Sequence, residues 1–174
     1  WKALGPDTWP LRVPPSSGNL HPVEPYVLAG GVLDLEDGLY HYTCMDHGLD
    51  RRARAQVSPG LWIGLTSIQW REAWKYGLRA FRYCQLDTGH ALAALRFAAA
   101  ALGWQARVVP GGTARALAKL LGTDRAGDFA EAEPEAPDAL VEISASGSAT
   151  WPRVVVQDWY GQASRCDPRA PKSW

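Results

Sequence analysis

The chain is poor in cysteine and methionine, with three Cys and one Met in 174 residues. Cys44, Cys84 and Cys166 form no C-x-x-C pair and are odd in number, which argues against a secreted disulfide framework and makes a reducing, cytoplasmic compartment the expectation. An excess of one charge is missing too. Lys and Arg number 18 against 18 Asp and Glu, so the basic surplus of a general nucleic-acid or membrane-surface binder is absent. No apolar run approaches the roughly 20 residues of a membrane-spanning helix, and no basic-then-apolar signal segment opens the sequence. Repeats of solenoid period and low-complexity tracts are also lacking. What is present is globular: hydrophobic residues make up 47% and charged residues 21%. The length suits one domain, able to bury about 70% of its unfolded surface. Nine Trp is high for this length and points to planar, stacking-rich surfaces.

Pro6 to Pro25 is dense in Pro, Ser, Gly and Asn and reads as an ordered loop with a short helical turn. Tyr26 to Ala29 reads as a strand. After a break at Gly30-Gly31, Val32 to Leu35 and Leu39 to Tyr42 around Asp37-Gly38 read as a β-hairpin. Between Trp62 and Tyr83 the spacing is helical, with Trp70, Trp74, Gly77 and Phe81 on one side and Arg71, Lys75, Arg79 and Arg82 on another. Asp87 or Thr88 is placed to cap a second helix that runs through Leu102 and stops at Gly103. Trp104 to Val109 reads as a strand, Thr113 to Leu121 as a capped short helix ended by Gly122, and Ala126 to Asp138 as an acidic loop. Strands are expected at Ala139 to Ile143 and Arg153 to Gln157. Strands and helices mix without βαβ regularity, which predicts an α+β fold.

The stretch from Arg12 to Pro22 carries the most chemistry: a fixed cation, the hydroxyls of Ser16 and Ser17, the Asn19 amide, and backbone held open by Pro and Gly. That set suits a flat polar ligand with a phosphate tail, and it equally suits a loop satisfying its own backbone through Ser and Asn turns. His41, Cys44 and His47, with Asp46 beside them, have the spacing of metal ligands but no fourth Cys or His at finger spacing. No metal site is expected. Cys84 reads as a small buried hydrophobe rather than a nucleophile paired with His90. Basic residues interleaved with Trp70, Trp74 and Phe81 superficially suit a single-stranded nucleic acid, which the neutral overall charge argues against.

Pro15-Ser16-Ser17-Gly18-Asn19-Leu20-His21-Pro22 resembles the P-S-S-x-N-x-Q-P element of the nitroreductase superfamily, with His21 where Gln is common. Four ordered blocks are similar to its SagB/ThcOx-type branch: RVPPSSGNLHPVEPYVL from Arg12, GLYHY from Gly38, the run from Trp70 to Trp104, and LLGTD ending at Asp124. The resemblance implies a central antiparallel sheet flanked by helices, binding FMN between two protomers or two homologous halves. It implies that Pro15, Ser16, Ser17 and Asn19 contact the flavin, and that Arg12 faces the phosphate or an anionic ring edge. Gly111-Gly112 sits where the family brings backbone close to the flavin face, although a plain turn explains that pair as well. Lys75-Tyr76 matches the K-Y-G-x-R of azoline-oxidising members, where the pair is assigned to proton abstraction; a solvated basic helix face with Tyr76 packing is the alternative.

The resemblance thus implies an FMN-dependent oxidoreductase acting on nitro or quinone compounds with NAD(P)H, or on azolines in a modified peptide. It further implies a homodimer or tandem second half as partner. Residues 1–158 would form the FMN domain without its N-terminal helices, and 159–174 a linker toward the second half, since the chain begins at Trp1 rather than Met. The competing expectation is a non-catalytic pseudo-domain that pairs with a flavin-binding partner. The His21 departure and the unmatched acidic loop motivate it.

Overall fold

The structure, a computed structural model, describes residues 12–129, 133–147 and 149–160, together with the short backbone strands at 2–4 and 7–9. The chain order is β1 (Lys2–Leu4), β2 (Asp7–Trp9), β3 (Val23–Gly30), β4 (Gly38–Thr43), β5 (Gly48–Val57), β6 (Gly60–Ser67), α1 (Gln69–Tyr76), α2 (Ala80–Ala101), β7 (Gln105–Val108), α3 (Ala114–Leu121), β8 (Ala136–Ser144) and β9 (Val154–Trp159). β1 and β2 pair with each other. The other seven strands form one sheet in the order β7-β8-β6-β3-β4-β5-β9, with every pairing antiparallel. This is the α+β architecture expected.

Alternate residues of the central strands face opposite sides, as the two-residue period of a strand requires. Trp62, Leu140, Leu28 and Tyr26 join Leu117 and Leu121 of α3 in one core, whereas Ile63, Val141 and Ile143 join Leu92, Leu95 and Ala99 of α2 in another. The sheet is therefore sandwiched between α3 and the much longer α2, whose 22 residues span roughly 33 Å. α3 starts and stops as its sequence predicts. The Thr113 hydroxyl accepts the Ala116 N–H at 3.1 Å, and Gly122 closes the helix in the left-handed region at φ 72°. A methyl group at Gly122 would also lie 2.4 Å from the Trp159 ring. Gly122→Ala should thus cost about 2–4 kcal/mol, strain plus overpacking, measured by urea denaturation.

Several expectations are corrected. Trp62 to Ser67 is strand β6, not helix, because it is apolar and buried on both faces, which hides the strand period. The helical stretch is broken at Gly77, whose φ of 56° and ψ of −130° only glycine adopts readily, so α1 and α2 are separate. Asp87 and Thr88 do not cap α2. The helix begins at Ala80, and both side chains find tertiary partners in its middle. Val32 to Leu35 is a turn with Asp34 at φ 61°, so the hairpin joins β3 to β4 across it.

Candidate functional site

The loop from Arg12 to Pro22 has an unusual backbone. Gly18, Asn19 and His21 all have positive φ, at 64°, 60° and 48°. Two of the three are not glycine, a strained combination that persists only when its surroundings hold it. They do. Ser16 Oγ donates to Asp87 Oδ2 at 2.5 Å and accepts the His21 N–H at 2.8 Å, while the Ser17 N–H donates to Asp87 Oδ1 at 3.2 Å. The His21 ring and Asn19 Oδ1 meet at 2.8 Å. The His21 carbonyl accepts from Arg71 Nη1 at 3.0 Å and Arg12 Nη1 at 3.4 Å. The loop is thereby fastened to α2 through Asp87 and to α1 through Arg71.

At the bend of the loop stand Lys75 and Tyr76. A methyl group at Gly18 would lie 2.6 Å from Tyr76 Oη and 2.7 Å from Lys75 Nζ, so glycine is what lets both groups close over the backbone. Tyr76 is half-buried and stacks at a tilt on Tyr83, with centroids 4.4 Å apart; Lys75 is exposed, its ammonium 5.7 Å from the Tyr76 ring centroid.

Beside the loop lies a cavity of about 480 Å³. Its apolar floor comes from Leu65 and from Ala91, Leu95 and Ala98 of α2; Arg12, Ser16, Glu24 and Asp87 supply polar wall. Pro15 contributes on the loop side, and Tyr42, Cys44 and His47 on the β4–β5 side. Arg12, Pro15 and Ser16 are thus brought to one cavity. Ser17 and Asn19 lie in the same loop but outside the cavity wall, and so do Gly111 and Gly112 after β7. Gly112 instead packs under Trp151, where an added methyl would sit 2.2 Å from the ring.

Arg71 departs from the basic face the sequence assigned to it. It is 1% exposed, with Nη1 on Glu24 Oε1 at 3.0 Å and both Nε and Nη2 on Glu133 Oε2, at 2.9 and 2.7 Å. Lys75, Arg79 and Arg82 do remain exposed. Burial works to raise the Glu24 carboxyl, but the His41 hydrogen bond at 3.0 Å and the charges of Arg71, His41 and Arg12 outweigh it and hold the group below the usual carboxylate range. Glu135 goes the other way. Burial and neighbouring Glu24 push it up, and burial with Glu135 pushes up the Tyr26 phenol that bonds it at 2.9 Å.

The supposed metal trio is dispersed: His41 turns to Glu24, His47 Nδ1 meets the Tyr42 hydroxyl at 2.6 Å, and Cys44 lines the cavity. Cys84 is fully buried, and burial followed by the charge of Glu72 pushes its thiol up to about 12. Cys166 lies outside the described residues. Sequence reasoning missed Asp87, Arg71, Glu72 and Glu24. The signal available for Asp87 was a carboxylate on a face of α2 that otherwise carries Ala80, Cys84, Thr88 and Ala91; for Glu72, on a largely polar α1, there was none.

A seven-stranded antiparallel sheet between helices, with a strained polar loop closing on an apolar cavity, defines a nitroreductase-like α+β domain. No protein-family model matches this sequence, and no curated protein matches it. Solved structures do. A nitroreductase-like protein of Anabaena variabilis superposes with a TM-score of 0.63 and 28% identity, over 76% of this chain and 29% of that one. A chain of the E. coli microcin synthetase McbBCD complex with truncated pro-MccB17 bound gives a TM-score of 0.63 at 19% identity, over 83% and 59%. A similar protein of Ralstonia eutropha gives 0.61 at 19% identity, over 79% and 64%. The chain spans less than two thirds of the length of each. Motifs and fold together make the chain similar to the nitroreductases, and the fold it shares with them is the α+β one described above. Among the described residues no helix is long and apolar enough to cross a membrane.

Proposed function

We propose that the chain is an FMN-dependent oxidoreductase domain of the SagB/ThcOx type. The observation that carries this reading is the meeting of two distant sequence elements, the Pro15–His21 loop and Lys75-Tyr76, at Gly18 beside a cavity of about 480 Å³. The residues present fit a flavin. Small Ala side chains of α2 give a flat apolar floor for a ring system, and Arg12 offers a fixed cation for an anionic edge or phosphate. The Ser17 hydroxyl, the Asn19 amide and the backbone of Gly111 and Gly112 remain the other candidates to hold it. The Ser16 hydroxyl is already donor to Asp87 and acceptor from His21, so it shapes the loop.

A bound flavin supplies hydride chemistry; the protein binds, orients and moves protons around it. Lys75 Nζ and Tyr76 Oη, which meet at Gly18 outside the cavity wall, would take a proton from substrate carbon next to the hydride lost, or return one in the reductive direction. Substrate classes are nitro or quinone compounds with NAD(P)H as donor, or an azoline in a modified peptide. The microcin synthetase neighbour, solved with a truncated pro-peptide bound, supports the peptide class. Phe81, Leu86 and Phe97 along α2 and Leu102 just after its end are large apolar side chains left exposed, which supports a second protomer or a tandem half covering that helix. On this reading residues 1–158 are the flavin domain and 159–174 lead toward the second half; 161–174 lie outside the described residues.

Visible absorption through gel filtration tests the cofactor. FMN should co-elute near stoichiometry, and Asn19→Ala with Ser17→Ala should weaken binding by about tenfold or more, as loss of two polar contacts predicts. A colourless protein at saturating FMN would favour the pseudo-domain. Lys75→Ala and Tyr76→Phe should keep the flavin while lowering turnover at least about a hundredfold, the usual size of general acid–base effects. Equal loss of flavin and turnover would assign them a structural role instead.

A further inference from the structure

Glu72 is the most conspicuous buried group that the proposed chemistry does not use. It is 0% exposed at the α1–α2 interface, and neither carboxyl oxygen has a hydrogen-bond partner among the described residues. The charged groups acting on it are Asp87 from α2 and Lys75 from its own helix. Lys75 is exposed, and it is the one cation among the described residues that acts on Glu72. Asp87 is 3% exposed and uses both oxygens to accept from the loop, from the Ser16 hydroxyl and the Ser17 N–H. Two carboxyl groups therefore act on each other across the α1–α2 contact, and only one of them, Asp87, which also borders the cavity, is held by donors. Two anions in that position repel strongly, whereas one neutral acid beside one anion is tolerated.

We propose that Glu72 is a positioning residue for the flavin loop: carrying its proton, it leaves Asp87 as the single buried anion that holds Ser16 and Ser17, and losing that proton loosens the hold. The inference rests on the flavin reading for its consequence in binding, while the latch itself is a property of the protein. The proton leaves to bulk buffer and no electrons move. Burial and the Asp87 charge push the Glu72 carboxyl up to about 7, with Lys75 opposing, so the change falls near neutral pH. Cys84 is a further titratable group in this interface, and its thiol stays protonated across that range; Tyr76 of α1 and Tyr83 of α2 stack across the same interface. Asp138 faces α2 through Thr88 and Gln85, and Arg12 and His21 line the same cavity as Asp87, with the His21 N–H on the Ser16 hydroxyl.

The test is FMN titration of the purified protein at pH 6 and pH 8, in wild type, Glu72→Gln, Glu72→Asp and Asp87→Asn. Comparing variants cancels the titration of the FMN phosphate itself. Wild type should lose affinity between the two pH values by about tenfold relative to Glu72→Gln, the effect of about 1.4 kcal/mol. Glu72→Asp should restore a pH-dependent profile, and Asp87→Asn should bind weakly at both values. Parallel profiles for wild type and Glu72→Gln would overturn the proposal. Amide hydrogen exchange at Ser17 in flavin-free protein separates this from the flavin reading. Exchange should accelerate above pH 7 in wild type beyond its intrinsic pH dependence and beyond Glu72→Gln; identical behaviour would sink the latch whatever FMN does. Absence of FMN binding at any pH, with the exchange difference intact, would sink only the flavin reading.

Discussion

Replacing Arg71 by leucine is expected to lower folding stability by about 3–5 kcal/mol, the largest single effect foreseen in this domain. The guanidinium is 1% exposed and answers three acceptors at once: Glu24, Glu133 and the His21 carbonyl. Leucine would fill the volume but leave Glu24 and Glu133 nearly buried without their shared cation. Removing one partner of a buried ion pair costs far more than the pair contributes net, because the remaining charge has lost water and gained nothing. The same change would release the loop at His21, so flavin binding should fall with stability. Urea denaturation at neutral pH measures the first effect. A loss under about 1 kcal/mol would mean that water reaches Glu24 and Glu133, and that Arg71 does not lock the acidic segment onto α1. Arg71→Lys should recover only part, since one ammonium cannot serve the divergent acceptors that the planar guanidinium reaches.

Glu72→Gln should do the opposite, and only at higher pH. The folded carboxyl titrates near 7, against 4.5 ordinarily, because burial and Asp87 oppose its charge. Between those values the folded protein holds a proton that the unfolded chain has released, so wild-type stability falls as pH rises through this window. Below about pH 4.5 acid and amide are both neutral and the variant should match wild type. Above pH 7 the wild type carries the full cost of ionising a buried group, about 3 kcal/mol at 1.36 kcal/mol per pH unit. Glu72→Gln should therefore be more stable than wild type by about that amount at pH 8, with the difference shrinking steadily as pH falls. Denaturation midpoints at pH 5, 6, 7 and 8 give the curve. A constant difference across the series would show that Glu72 titrates normally and that water solvates it.

How legible this domain was depends on how local each signal is. Thr113 and Gly122 bound α3 as read because a cap hydroxyl and a left-handed glycine act within one turn of chain. β7 and β8, at one end of the sheet, and β9 at the other were also legible, as short apolar runs between turn residues. β5 was not. Its Arg52, Arg54 and Gln56 alternate with Ala53, Ala55 and Val57, and alanine is a weak strand signal even though these last three residues are buried in the core. β6 was hidden for the reverse reason, being apolar on both faces and followed at once by α1, so its Trp62 joined a spurious helical series. Asp87 mimicked a helix cap because Asp and Thr cap helices when no tertiary partner claims them. Here Ser16, Ser17 and Asp138 claim them.

By itself, then, the sequence determined the fold class and the resemblance to nitroreductases, and it singled out the loop and Lys75-Tyr76 as candidates, since each is written in residues adjacent along the chain or repeated at a short period. Only the tertiary structure decided that Lys75 and Tyr76 close over Gly18, and that Arg71, Glu72 and Asp87 are interior. The physical reason is that the cost of burying a charge is set by whichever distant groups face it. For Arg71 these are Glu24 and Glu133, for Asp87 the backbone and hydroxyl of a loop some seventy positions earlier, and for Glu72 no donor among the described residues.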